Sequence, residues 1–299
     1  MAIPFDTDFE APYERLISAS PRIRRMLTNN PGPFTFKGTG VAVVGEGRVA
    51  VIDPGPDDPV HLERLRAALK PETVTHILVT HTHRDHSPAA RALKQWTGAP
   101  TYGFGPHGAG RADLGIAVEE GGDRDFVPDI AVRDGDIIEG AGFTLQCVHT
   151  PGHTSNHMCY ALLEEKALFS GDHVMAWSTT VVAPPDGDMG DYLASLEKLL
   201  VRDDAIYWPT HGGPVRDPKN FVAAYLAHRR ARETQILAAL DNGMTGVPQI
   251  VDRIYAGLDP RLKPAAALSV LAHLLHLVKT GRAAASAGPP LTAHYRVTA

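Results

Sequence analysis

Cysteine is scarce: the 299 residues include two, Cys147 and Cys159, each inside an apolar stretch. They form neither a C-x-x-C pair nor a disulfide framework, so a reducing compartment, the cytoplasm, is expected. Long apolar runs are scarce too. No stretch reads as the ~20 apolar residues of a membrane span. The opening "MAIPFDTDFE" carries acids where a secretory signal has its apolar region, so no membrane association is expected. Neither sign of charge dominates. A formal net charge of −5 excludes wholesale electrostatic binding to nucleic acid or anionic lipid and leaves only a local basic patch open. A G-x-S-x-G nucleophile elbow is also missing, "FSGDH" (169–173) being the nearest approach.

What is present is a chain with 43% hydrophobic residues, enough for a sizeable core. After an irregular N-terminal ~35 residues, "TGVAVVGEGRVAVIDPGPDD" (39–58) reads as two strands joined by a hairpin turn. Residues 59–70 place Val60, Leu62, Leu65 and Leu69 at helical spacing. A strand (74–80), a helix (87–98) and a strand (99–104) follow, giving a β-α-β-α-β order. Residues 105–128 read as a long Gly-rich loop; its turn "GFGPHGAG" (103–110) is weak evidence for phosphate binding, with no helix evident behind it. Strands at 143–150, 157–165 and 166–172, a helix at 189–200 and a strand at 205–209 complete a first unit, residues 1–218. Residues 219–299 form a second, helical unit, its last helix presenting Leu268, Leu271, Leu274, Leu275 and Val278 on one face.

The densest chemistry is "HTHRDH" (81–86), directly after an apolar strand. Strand ends are where open α/β sheets place their sites. Alternate side chains on such a loop can enter one cavity, which makes His81 and His83 natural ligands of one cation, with Asp85 and His86 aimed at a neighbouring point. Imidazole nitrogens and carboxylates are a ligand set that Zn²⁺ accepts, and iron or manganese fit it as well. Other strand ends supply the remainder: His153 in a Pro-Gly-His turn, Asp172 in Ser-Gly-Asp, His211 in Thr-His-Gly-Gly. The expected division is His81, His83 and His153 for one ion, Asp85, His86 and His211 for the other, and Asp172 between them. Such a pair would activate a water for hydrolysis, with Asp85 orienting it and handling its proton. His149, His157 and His173 read equally as supports of ligands or as ordinary core and surface residues. His76, His107, His228, His273 and His276 fall outside the pattern.

H-x-H-x-D-H, then P-G-H, S-G-D and a final T-H resemble the metallo-β-lactamase superfamily over roughly residues 36–215, with all seven ligand positions filled. The resemblance implies an αββα sandwich with two Zn²⁺ at one edge. Asp53, in "DPGP", matches the family's early aspartate, which supports the site by hydrogen bonding; the alternative is a strand-ending turn aspartate. The C-terminal order of helix, short helix, long helix and a "TGR" turn resembles the beta-lactamase-like protein 2 group, whose last domain is winged-helix-like.

The resemblance leaves the substrate open. Asp172 and the lack of a secretory signal make β-lactam hydrolysis a side activity at most. His83 stands where oxygen-reducing flavodiiron relatives have glutamate, and Asp172 and His211 lie too close in sequence for the inserted domain of RNA-processing members. Glyoxalase II enzymes share the seven ligands. The expectation is a hydrolase of an ester, thioester or lactone; the alternative is an endoribonuclease on single-stranded RNA. The C-terminal unit reads as a cap on the active site, a homodimer interface, or a basic RNA-contacting face carrying Arg229, Arg230, Arg232, Arg253, Arg261, Lys263, Lys279 and Arg282. In the loop 176–192, Ser178, Thr179 and Tyr192 are the candidates for substrate contact.

Overall fold

Strand faces alternate with a period of two, so each valine-rich strand of this chain serves two cores at once. The computed structural model describes residues 3–108 and 121–298. In chain order, β1 (Ile17–Ser18), β2 (Ile23–Leu27), β3 (Gly40–Val44), β4 (Arg48–Ile52), β5 (Thr73–Leu78), β6 (Thr101–Gly103) and β7 (Ile130–Ala131) form one sheet in that spatial order. Its first four strands pair antiparallel; β4 to β7 are parallel. Helices α1 (Pro59–Leu69) and α2 (Ala89–Thr97) make the crossovers that parallel neighbours require. The second sheet runs β12 (Ile206–Pro209), β11 (Ala167–Gly171), β10 (Met158–Leu162), β9 (Phe143–His149) and β8 (Ile137–Gly140), with α3 (Met189–Leu200) between β11 and β12.

Three layers of packing follow. Val41, Val43, Val49 and Val51 face Leu65, Leu69 and Leu93 of α1 and α2. Their alternates Ala42, Val44, Ala50 and Ile52 meet Leu145, Met158, Tyr160, Leu162 and Phe169 of the second sheet. Behind that sheet, Cys159, Ala161 and Leu168 pack on Tyr192, Leu196 and Leu199 of α3 and on the start of the next helix. This is the αββα sandwich. Each fully buried branched residue contributes roughly 1.5–3 kcal/mol to holding the layers together. Cys147 lies between the sheets and Cys159 on the opposite face of the second, both as free thiols.

The N-terminal stretch is more regular than its sequence suggested, since β1 and β2 fall within it. The pattern of β2, "IRRML", is interrupted by Arg25, yet Arg25 is buried. Its guanidinium donates to the carbonyls of Pro209 and Gly212 and lies 5.5 Å from the Trp208 ring. In α1 the inward positions are His61, Leu65 and Leu69, while Val60 is exposed. The middle of the expected 105–128 loop, including part of its Gly-rich turn, lies outside the described residues.

The C-terminal unit is built on α4 (Pro218–Asp241), α5 (Val247–Ile254), α6 (Lys263–Lys279) and a hairpin of β13 (Ala283–Ala285) and β14 (Tyr295–Val297), a winged-helix arrangement. Helix α4 starts at Pro218 behind the cap Asp217, where the sequence suggested a boundary. Its first turns nevertheless join the sandwich through Phe221, Val222, Tyr225 and Leu226; Ile236, Ala239 and Leu240 join the second core. Helix α6 is buried on more than the single face expected, with Leu268 to Leu274 continuously inside. Residues Pro260–Lys279 are, by length and composition, apolar enough to cross a membrane, which corrects the expectation that no such run exists; half of the window is buried against protein.

A candidate metal centre at the strand ends

The strand β5 ends at Leu78 and the chain stays extended through His81 and His83, which bridges to Gly122. The turn then tightens, the His86 amide donating to the His83 carbonyl at 3.0 Å, and Asp85 and His86 swing beside the first pair. The loops after β9 and β11 deliver His153 and Asp172, and the residue following β12 is Thr210, next to His211. Ligand atoms of His81, His83 and His153 lie within 4.8 Å of one another; so do those of Asp85, His86 and His211, and those of His81, His86 and Asp172. Asp172 Oδ2 stands 3.4–3.9 Å from a nitrogen of His211, His86, His153 and His81, so it touches both sets. All seven side chains singled out in the sequence therefore meet in one place.

The electrostatics of the two sets differ. Burial, reinforced by neighbouring imidazoles, holds His81 and His83 well below the usual histidine range, and burial lowers His153. Burial acts the same way on His86 and His211. There the nearby carboxylates outweigh it: Asp85, Asp172 and Asp53 raise His86 well above its ordinary value, and Asp172 and Asp85 push His211 up to about 10. Asp85 and Asp172, which burial alone would raise, are held well below the carboxylate range by His86 and His211.

These residues fit divalent cations. Unprotonated nitrogens of His81 and His83, 2.9 Å apart, and of His83 and His153, 3.2 Å apart, repel unless a proton or a cation stands between them. Asp172 Oδ1 is buried without a hydrogen-bond partner, a costly state that a cation relieves.

A shell of hydrogen bonds aims the imidazoles. The carbonyls of Val181 and Gly38 accept from Nδ1 of His153 (2.7 Å) and His211 (3.1 Å), which fixes a proton there and turns Nε2 toward the cluster. Asp53 takes His86 Nδ1 at 3.0 Å, together with the Thr80 amide and hydroxyl and the Thr210 hydroxyl. Its backbone φ of 48° is unusual for a residue with a side chain. His157, buried, accepts from the Asp172 amide at 3.1 Å, so its Nδ1 donates to Thr150 at 2.8 Å; it supports a candidate ligand. His149 instead stacks on Phe104 at 4.1 Å.

Several supports were not singled out in the sequence. Thr39 donates to Asp85 Oδ2 at 2.9 Å and is held by Asn30. Thr180 donates to the carbonyls of Asp172 and His173. Arg229 of α4 donates in turn to the Thr180 carbonyl, and Tyr225 donates to those of Met175 and Ser178. Tyr192, a candidate for substrate contact, is fully buried under α4; its hydroxyl donates to His173 O and its ring lies beneath Arg229. Spacing carried the missed signal, since Met189, Tyr192, Leu196 and Leu199 form the inner face of one helix.

Ser178 and Thr179 do line a cavity. It is bounded by His83, Asp85, His153, Asp172 and His211, by Phe34, Trp177 and Val181, and by Tyr255, Leu258, Leu262 and Ala265 of the C-terminal unit. The basic residues of that unit are mostly engaged: Arg230 with Glu197, Arg261 with Asp259, Lys263 with Asp252, Lys279 with Asp188, and Arg282 with Glu233. Arg232 lies 4.3 Å from the Tyr255 ring.

Comparison with known proteins agrees with this geometry. Residues 36–211 match the metallo-beta-lactamase superfamily model, and residues 247–288 match the beta-lactamase associated winged helix domain. The sequence is 32% identical over 224 residues to the atrochrysone carboxyl ACP thioesterase of Claviceps purpurea, covering 74% of this chain and 66% of that one. It is 28% identical over 263 residues to the lactamase-like protein adaB of Aspergillus niger, covering 81% and 76%. The chain thus spans about two thirds of the first relative's length. The crystal structure of a beta-lactamase domain protein from Burkholderia ambifaria superposes with a TM-score of 0.80 at 21% identity, covering 99% of this chain and 97% of that one.

Proposed function

This chain belongs to the metallo-beta-lactamase superfamily and is a hydrolase, and we propose that it hydrolyses acyl thioesters at a centre of two zinc ions. One observation carries the reading: a single cavity is walled both by candidate metal ligands and by an apolar set suited to an acyl group. Relatives at 32% and 30% identity that are named as ACP thioesterases support it.

His81, His83 and His153 would hold one ion, Asp85, His86 and His211 the other, and Asp172 would be shared. Cations there supply a water of lowered pKa and a Lewis acid for the acyl oxygen. Thioester hydrolysis forms a bond from a water oxygen to the acyl carbon and breaks the carbon–sulfur bond, leaving a carboxylic acid and a thiol. Asp85, fixed by Thr39 at the cavity wall, would be the carboxylate placed to orient that water and receive its proton. Asp53 and the carbonyls of Gly38 and Val181 keep the imidazoles of His86, His211 and His153 oriented, and His157 holds the backbone amide of Asp172.

The test is a panel of N-acetylcysteamine thioesters, a lactone and labelled single-stranded RNA, offered to metal-loaded protein, chelated protein and Asp85→Asn. Thioester turnover lost in the last two is expected. Cleavage of RNA alone would overturn the proposal, and elemental analysis showing iron or manganese would overturn its zinc.

A further inference from the structure

Resting on the thioesterase reading, we propose that Tyr255, Leu258, Leu262 and Ala265 form a subsite for an extended, uncharged acyl chain. The four line the same cavity as the metal-ligand cluster, and each is half-buried, so their apolar surface is still open to an occupant. They sit on the α5–α6 connection and the first turn of α6, within or beside the segment that matches the winged-helix domain, outside the residues that match the catalytic fold. The wall is an addition to the common catalytic frame, where specificity is set without disturbing the ligands.

The opposite wall has the same character. Phe34, Val181 and Trp177 face the cavity, and Trp177 stacks on Phe36 at 4.8 Å with the planes 7° apart, which makes it a rigid apolar surface. Arg229 is the one lysine or arginine among the described lining residues, and it is 3% exposed. It donates to the Thr180 carbonyl and lies over Tyr192, 5.0 Å from the ring centre. Among the described lining residues no lysine or arginine is therefore free to neutralise a phosphate or carboxylate on the occupant's far end, and apolar surface is what remains there to bind it. Ala265 is the small residue of the wall and belongs to none of the packed cores, so its size sets the space available.

The experiment compares acetyl- and octanoyl-N-acetylcysteamine on the metal-loaded wild type, Ala265→Phe and Leu262→Ala, with metal content and melting temperature checked for each. The wild type is expected to prefer the octanoyl ester. Ala265→Phe should lower the octanoyl-to-acetyl ratio of kcat/KM by at least about tenfold, and Leu262→Ala should raise the octanoyl KM. If Ala265→Phe fails to fold, Leu262→Ala decides. An unchanged ratio in the folded variants overturns the subsite and leaves the thioesterase reading standing. Absence of turnover of either ester by the wild type overturns that reading and the subsite with it.

Discussion

Replacing Asp53 by asparagine tests whether the metal centre is held by its surroundings. The carboxylate is 1% exposed and accepts four hydrogen bonds: Thr80 N at 2.7 Å, Thr80 Oγ1 at 2.7 Å, Thr210 Oγ1 at 3.0 Å and His86 Nδ1 at 3.0 Å. Asparagine keeps the shape and loses one acceptor. If its oxygen stays on the Thr80 amide, its NH₂ faces the other three groups. The two hydroxyls can rotate and accept. The imidazole cannot accept at Nδ1 without moving its proton to Nε2, and Nε2 is the atom that faces Asp85 and Asp172. The conflict therefore concentrates on His86, where a charge-assisted bond of about 1.5–3 kcal/mol is lost. Zinc affinity should fall about 10–100-fold, measured by competition with a chromophoric chelator on protein whose circular dichroism matches the wild type. Affinity within about a factor of two of wild type would refute the reasoning, because it would make Asp53 a turn residue with no hold on the centre.

Arg229→Met strips the Thr180 carbonyl of its buried donor, at about 1–3 kcal/mol, and should loosen the segment that carries Asp172 and Val181. Zinc release should quicken, with Arg229→Lys restoring part of the hold; equal release rates for Met and wild type would contradict this. Gly152 has a φ of 137°, and an added Cβ would come within 2.3 Å of the Tyr192 Cα. Gly152→Ala should therefore displace the turn bearing His153 and leave less than full metal content by elemental analysis. Burial between α4 and α6 lowers His273 to about 4, below its unfolded value of 6.5, so the fold favours the neutral ring. That stability is complete above pH 6.5 and is lost as pH falls toward 4, by about 3 kcal/mol. Urea titrations of His273→Leu should show a shallower acid loss than wild type, and identical pH slopes would defeat the assignment.

The candidate ligands were legible in the sequence because their chemistry is unusual for the places they occupy. Four ligand-type residues in six positions after an apolar strand have few other uses, and Asp172, His153 and His211 each follow a strand in the same way. Supports such as Thr39, Asn30 and the Gly38 carbonyl carry no such mark. Thr39 matters because it bridges to His211, far away in the chain, and any loop threonine would look alike before that pairing forms. Arg25 concealed β2 for the same reason: a charged residue inside a strand is intelligible only once the Pro209 and Gly212 carbonyls and Trp208 are in place to receive it. Tyr192 lies at the seam between the 176–192 loop and α3, and its spacing from Met189, Leu196 and Leu199 puts it in the core and away from the cavity.

The change in composition near residue 218 does not separate two independent bodies. Helix α4 runs without a break from one core into the other, and at the crossing it buries two charged residues, Arg229 and Glu233. Arg229 is bonded to the segment beside Asp172, and Glu233 is paired with Arg282 beyond α6. A buried charge released from its partner costs several kcal/mol, so swinging the C-terminal unit away from the sandwich is expensive at both points. The apolar wall formed by Tyr255, Leu258, Leu262 and Ala265 is thereby held at a fixed position relative to His153 and Asp172. A fixed wall is what selection by chain length requires, since a hinged one would yield to a longer substrate.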